Sequence, residues 1–137
     1  MSLDLFVRLP RTKLGDIECY CTPVNIHDLS MFTDGAIHLG NITHNLSKMA
    51  VQVPVGENLT LYDVVWCSHE HFNGDIDKLR PMWDNGLHYI LKNRFELEQY
   101  NSANGWGNYD ILVEFLRIII FNSEKLIGIG AKCESDR

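Results

Sequence analysis

Leu3, Leu5, Val7 and Leu9 alternate with Asp4 and Arg8, and such alternation puts every second side chain on one face of an extended chain. A first strand is predicted there. The β-rich run 17–22 follows the turn-forming Lys13-Leu14-Gly15-Asp16, so the two runs read as an N-terminal hairpin. Residues 23–40 lack clean periodicity and read as a connection with one short helical turn, a candidate site loop. Ile42, Leu46, Met49, Ala50 and Val53 then form a helical stripe that Asn41 or Thr43 can cap and that ends near Pro54. For 59–67, rich in β-branched and aromatic residues, the pattern leaves strand and short buried helix open. From Asp75, a plausible N-cap, Ile76, Leu79, Trp83, Leu87, Ile90 and Leu91 share a helical face. Pro81 is expected to divide that helix into 75–80 and 81–93, because proline costs about 3 kcal/mol in a helix interior. A polar loop, 101–107, leads to a helix over 108–122, and the run 127–133 reads as a last strand able to join the hairpin. The expected fold is α+β: one domain, with a small antiparallel sheet of N-terminal hairpin and C-terminal strand covered by about three helices.

Composition narrows the function classes. Of 137 residues 45% are hydrophobic, enough for one core but hardly two. Eighteen acidic residues against twelve basic ones give a net charge of -6, and no Lys/Arg cluster gathers the minority sign, which argues against nucleic acid and anionic membrane as partners. The start of the chain lacks the pattern of a secretory signal, and the longest apolar run, 118–121, is far too short for a membrane span. A soluble cytoplasmic protein is expected, with Cys19, Cys21, Cys67 and Cys133 as free thiols. The helix over 108–122 is apolar on most of its sides, so it is either central to the fold or part of an interface between copies. A homo-oligomer, a dimer, is expected on that ground.

Four groups of residues carry candidate chemistry. Asn41, Thr43, His44 and Asn45 lie at a predicted helix start, where free amides and the helix dipole favour an anion; plain capping is the competing explanation. In Asn104-Gly105-Trp106-Gly107-Asn108-Tyr109, glycines flank a large flat ring, so Trp106, Asn108 and Tyr109 can border a stacked ligand or, more simply, plug the core. Cys67, His69 and His71 would point the same way on a strand, with Cys19 and Cys21 as further thiolates. The spacing is neither that of a zinc finger nor of a ribbon, so no metal is expected. Asp110 and Glu114 share a helix face, with an ion pair to Arg117 as the ordinary explanation.

GNITHNLSKMA over 40–50, LYDVVW over 61–66 and NSANGWGNYDILVEFL over 101–116 together resemble a family of small proteins encoded by tailed bacteriophages. Its members share N-I-T-H/Y-N, Leu/Ile-Tyr-x-x-Leu-Trp and G-W-G-x-Y blocks, and no activity comes with the pattern. The chain departs from it after Trp66, where CSHEHF replaces an R-P-E-E type of continuation, so chemistry at Cys67, His69 and His71 would not be a family trait. The resemblance implies a phage origin, the bacterial host cytoplasm, and a gene class that handles host defence or metabolism.

The favoured expectation is a binding module that sequesters a small anionic, nucleotide-like ligand at Asn41, Thr43, His44, Asn45, Trp106, Asn108 and Tyr109. It has no catalytic residue, metal or cofactor. A hydrolase of a phosphorylated small molecule would use His44 or the His69/His71 pair, but it lacks a second partner at recognisable spacing. A phage inhibitor that binds a host protein directly would leave the same apolar final helix as a homo-oligomer.

Overall fold

The computed structural model describes residues 2–8, 11–14, 17–20, 32–33, 36–56, 58–128 and 130–136. The alternation at the start of the chain becomes β1 (Ser2–Arg8), with Leu3, Leu5 and Val7 buried and Ser2 and Arg8 exposed. A short hairpin follows, β2 (Arg11–Leu14) against β3 (Ile17–Tyr20), as a two-stranded sheet of its own. The run at 17–20 thus pairs with 11–14 and not with β1, whose neighbour comes from further along the chain. That neighbour is β5 (Ala36–Thr43), itself flanked by β4 (Phe32–Thr33). Leu3 lies opposite Ile42 and Val7 opposite Ile37, so the two strands bury the same face. Of the candidate loop 23–40, residues 23–31, 34 and 35 lie outside the described residues, and its end is β5.

The stripe at 42–53 is half strand and half helix. Ile42 ends β5, His44–Leu46 make one 3-10 turn, and α1 (Ser47–Val51) adds five residues. Ile42, Leu46, Met49, Ala50 and Val53 are all buried, so one apolar side continues across a change of backbone that hydropathy does not register. After β6 (Pro54–Gly56) and β7 (Leu59–Thr60), α2 (Leu61–Val65) settles the segment left open as a short buried helix. The Asp63 carboxylate accepts from the Thr60 backbone N–H at 2.8 Å and so holds the start of the helix.

α3 (Ile76–Lys92) runs unbroken with Pro81 inside it. Asp75 caps its start, and the buried Ile76, Leu79, Trp83 and Ile90 lie on one side, enough apolar burial to offset the one hydrogen bond that proline removes. α4 (Arg94–Glu98) and α5 (Tyr109–Ser123) follow, and β8 (Lys132–Asp136) closes the sheet on the other side of β1; a last strand joining β1's sheet is expected from sequence, but it lies later than the predicted 127–133 and shares only Lys132 and Cys133 with it. The strand order is β4-β5-β1-β8, antiparallel throughout, giving the expected α+β fold.

α5 lies against β5 and α3. A side chain at Gly40 would come within 3.1 Å of Ile119 and 3.2 Å of Phe115, so glycine lets helix and strand approach closely. Asn122 donates to the Leu39 carbonyl at 2.9 Å, and the Arg80 guanidinium donates to the Ile120 carbonyl at 2.9 Å and the Ser123 hydroxyl at 3.0 Å. The last turn of α5 is thereby tied to both sheet and helix. No helix among the described residues is long and apolar enough to cross a membrane.

Candidate functional site

Sixty-one positions apart in sequence, Asn45 and Trp106 meet: the Asn45 side-chain amide donates to the Trp106 carbonyl at 2.8 Å. The loop over 101–107 is braced from within. Asn104 accepts from the Trp106 N–H at 2.9 Å and from the Ser102 hydroxyl, and the Ser102 N–H donates to the Gly107 carbonyl at 3.0 Å. Gly107, at a φ of 114°, presses against the 43–46 turn; a Cβ there would lie 2.9 Å from the Thr43 methyl and 3.1 Å from Leu46. Only glycine combines that backbone angle with that contact. The loop ends at Asn108, whose side chain caps α5 by accepting from the Ile111 N–H at 3.0 Å.

A cleft of about 380 Å³ opens beside this junction, in the size range of small-ligand sites. His44, Asn45 and Lys48 form one wall, and Gln99, Tyr100, Asn101 and Ser102 the other. No carboxylate is among the described residues lining it. Two further clefts among the described residues differ: one of about 510 Å³ has Asp77 and Asp84 in its wall, and one of about 220 Å³ has Glu134.

His44 is oriented from behind. The buried Trp66, stacked on Tyr62 at 5.6 Å between ring centres, donates its indole N–H to His44 Nδ1 at 3.1 Å. An indole N–H can only donate, so Nδ1 accepts and the proton of the neutral imidazole sits on Nε2. His44, which lines the cleft, is therefore held through Nδ1 and keeps Nε2–H as its donor.

The residues singled out from sequence have distinct places. His44 and Asn45 line the cleft, and Thr43 supports them by accepting the Asn45 N–H at 3.3 Å. Trp106 is 73% exposed and held by its backbone to Asn45. Asn108 is a helix cap. Tyr109 is a core side chain instead of a stacking one: it is buried, its hydroxyl donates to the Ile90 carbonyl at 2.7 Å, and burial pushes its phenol above the ordinary value. Asn41 faces the sheet surface, where its amide donates to Asp4 at 2.8 Å and Ser2 at 3.0 Å. The helix after Thr43 is a 3-10 turn plus five α residues, so positive charge at the cleft comes from Lys48 and not from a long helix dipole. Lys48, Asn101 and Ser102 were not singled out from sequence. Their signal was proximity: Lys48 is one turn past His44, and Asn101 and Ser102 open the polar loop that carries Trp106.

The Cys67-x-His69-x-His71 run is not extended. Ser68–Glu70 form a 3-10 turn, His69 faces Glu70 at 3.8 Å, and His71 faces Asp63 at 3.9 Å. No group of three or more metal-ligating side chains converges among the described residues; the side chains of Cys19 and Cys21 lie outside them. Burial pushes the Cys133 thiol up to about 12, so it is no nucleophile at neutral pH. Asp110 pairs with Arg94 at 3.4 Å, and neither Glu114 nor Arg117 makes an ion pair among the described residues. No family model, curated protein or solved structure matches the chain.

Proposed function

We propose that the protein binds a small anionic, nucleotide-like ligand in the cleft between the 44–48 segment and the 99–106 loop. One observation carries this reading: Asn45 lines the cleft and also holds the backbone carbonyl of the exposed Trp106, so the segment that carries the flat ring is anchored to the cleft's polar wall, with the ring itself outside the lining. Lys48 and the Nε2–H of His44 meet the anionic group. Side-chain amides of Asn45, Gln99 and Asn101 read a polar edge, and Trp106 offers a face for a base. Stacking of this kind is worth about 1–3 kcal/mol per base. The resemblance to phage proteins supplies a setting, the sequestration of a nucleotide-like signal of host defence.

Titration with adenosine nucleotides, cyclic dinucleotides and ADP-ribose, followed by tryptophan fluorescence, tests the reading. Trp106→Ala is expected to weaken the best ligand by roughly 10- to 100-fold, in line with the stacking energy, and Lys48→Ala by a smaller, salt-dependent factor. Binding unaffected by either substitution refutes the site. Turnover of the bound nucleotide would replace sequestration with hydrolysis.

A further inference from the structure

α5 has two sides that sequence treats alike and the fold separates. Leu112, Phe115, Leu116 and Ile119 are buried, whereas Asp110, Ile111, Glu114, Arg117, Ile118 and Phe121 are exposed along the opposite side. Phe121 is 75% exposed and Ile118 42%. At 100° per residue these six positions occupy about a third of the helix circumference. Of its three charges, Asp110 pairs with Arg94, and the other two, Glu114 and Arg117, stand on either side of the helix midpoint, unpaired with any described residue.

From this arrangement we propose that the outer side of α5 docks onto the same side of a second copy of the chain, the two helices antiparallel about a two-fold axis. An isologous contact pairs each position with its mirror about the axis. An axis between Glu114 and Arg117 sets Glu114 against Arg117 of the second copy, twice per dimer, and sets the Asp110–Ile111 end against the Phe121 end. The charges are complementary in the antiparallel order and like-signed in the parallel in-register one, which selects between the two.

A second feature has the same symmetry. Arg94 meets Asp110 at 3.4 Å, which places α4 at the first turn of α5, and the neighbouring Phe95 is 93% exposed. At the far end of the same flank, the cleft of about 510 Å³ is lined by Pro81, Ile120 and Ile127 together with Asp77, Arg80 and Asp84. A two-fold axis across α5 carries one end of this flank onto the other, so each Phe95 faces the apolar wall of the second copy's cleft. A protruding ring and a receiving groove then coincide with the charge pairing. This surface is separate from the ligand cleft and does not depend on it.

Sedimentation or light scattering from 1 to 100 μM tests the proposal, with thermal melts as the check on folding, since the substituted side chains are exposed. Wild type is expected at twice the chain mass of 15.8 kDa. Glu114→Arg, which places arginines against each other, is expected to weaken the dimer at least 10-fold. The double exchange Glu114→Arg with Arg117→Glu is expected to restore it, and Phe95→Ser to weaken it again. A wild type that stays at 15.8 kDa at 100 μM overturns the proposal, as does an open-ended assembly or a monomer that instead engages a foreign protein by this side. A dimer indifferent to Glu114→Arg, or one the double exchange fails to rescue, overturns the antiparallel pairing.

Discussion

Trp106 and Phe121 are exposed to nearly the same degree, 73% and 75%, at opposite ends of α5, yet their surroundings differ in kind. The backbone of Trp106 is hydrogen-bonded on both sides, N–H to Asn104 and carbonyl to Asn45, and the adjoining cleft carries amides and a lysine. Phe121 stands on a regular helix beside Ile118, on a side of α5 that also carries the unpaired Glu114 and Arg117. An exposed ring on a backbone tied to a polar cleft suits a small polar ligand, and one in an apolar row suits a protein surface. Exposure alone does not distinguish them; the hydrogen bonds to the backbone that carries the ring do.

The largest expected effect comes from breaking the junction that braces Trp106. Gly107→Val forces a branched residue to a φ of 114° and drives its Cβ into Thr43 and Leu46. The expected loss is about 2–4 kcal/mol, read as a fall in Tm on the order of 10 °C. Gly105→Ala is the control: its φ is also positive, at 79°, but nothing lies within 4 Å of the new methyl, so about 1 kcal/mol is expected. Equal losses at the two sites would mean that the 43–46 contact contributes nothing.

Asn45→Ala removes one hydrogen bond and is expected to cost about 1 kcal/mol by urea denaturation. Trp106→Ala, in contrast, should stay within about 0.5 kcal/mol because its ring covers no core. If Trp106→Ala destabilises more than Asn45→Ala, the ring is structural and the comparison with Phe121 fails.

The smallest effect concerns the sheet surface, where sequence placed Asn41 in the site. The hydrogen bond from Asn41, with His38 at 3.0 Å, holds the Asp4 carboxyl below its ordinary 3.8. A carboxyl with a depressed folded pKa stabilises fully above the unfolded value and loses that contribution as pH falls through the folded one. Asp4→Asn should therefore cost a few tenths of a kcal/mol near pH 6, given its exposure, and less at a pH acid enough to protonate the carboxyl in the folded protein. The same difference at both pH values would show that the carboxylate's charge has no part in it.

What sequence could show follows from which forces are local. Leu3, Leu5 and Val7 were legible because one buried face imposes alternation on a strand. At 42–53 the same logic misled, since a strand end and a helix bury a continuous side. The partner of β1 depends on β5, some thirty residues away, and no local signal names it. At the site, the turn at His44 and Asn45 and the glycine-flanked Trp106 were visible as blocks. Their contact was not, because nothing in either block specifies the other. Tyr109 sits in a block that reads either as a ligand border or as a core plug; the structure shows the second for Tyr109, whose hydroxyl partner, the Ile90 carbonyl, lies nineteen positions earlier.

The most direct test of the ligand site is a map of backbone amide signals from two-dimensional proton–nitrogen spectra, recorded at fixed protein concentration while a cyclic dinucleotide or ATP is added. Saturable shifts at 44–48 and 99–106, with 111–121 unmoved, are the expected result. Shifts that cluster along 111–121, or at the Asp77 and Asp84 cleft, while 44–48 and 99–106 stay fixed would contradict the account.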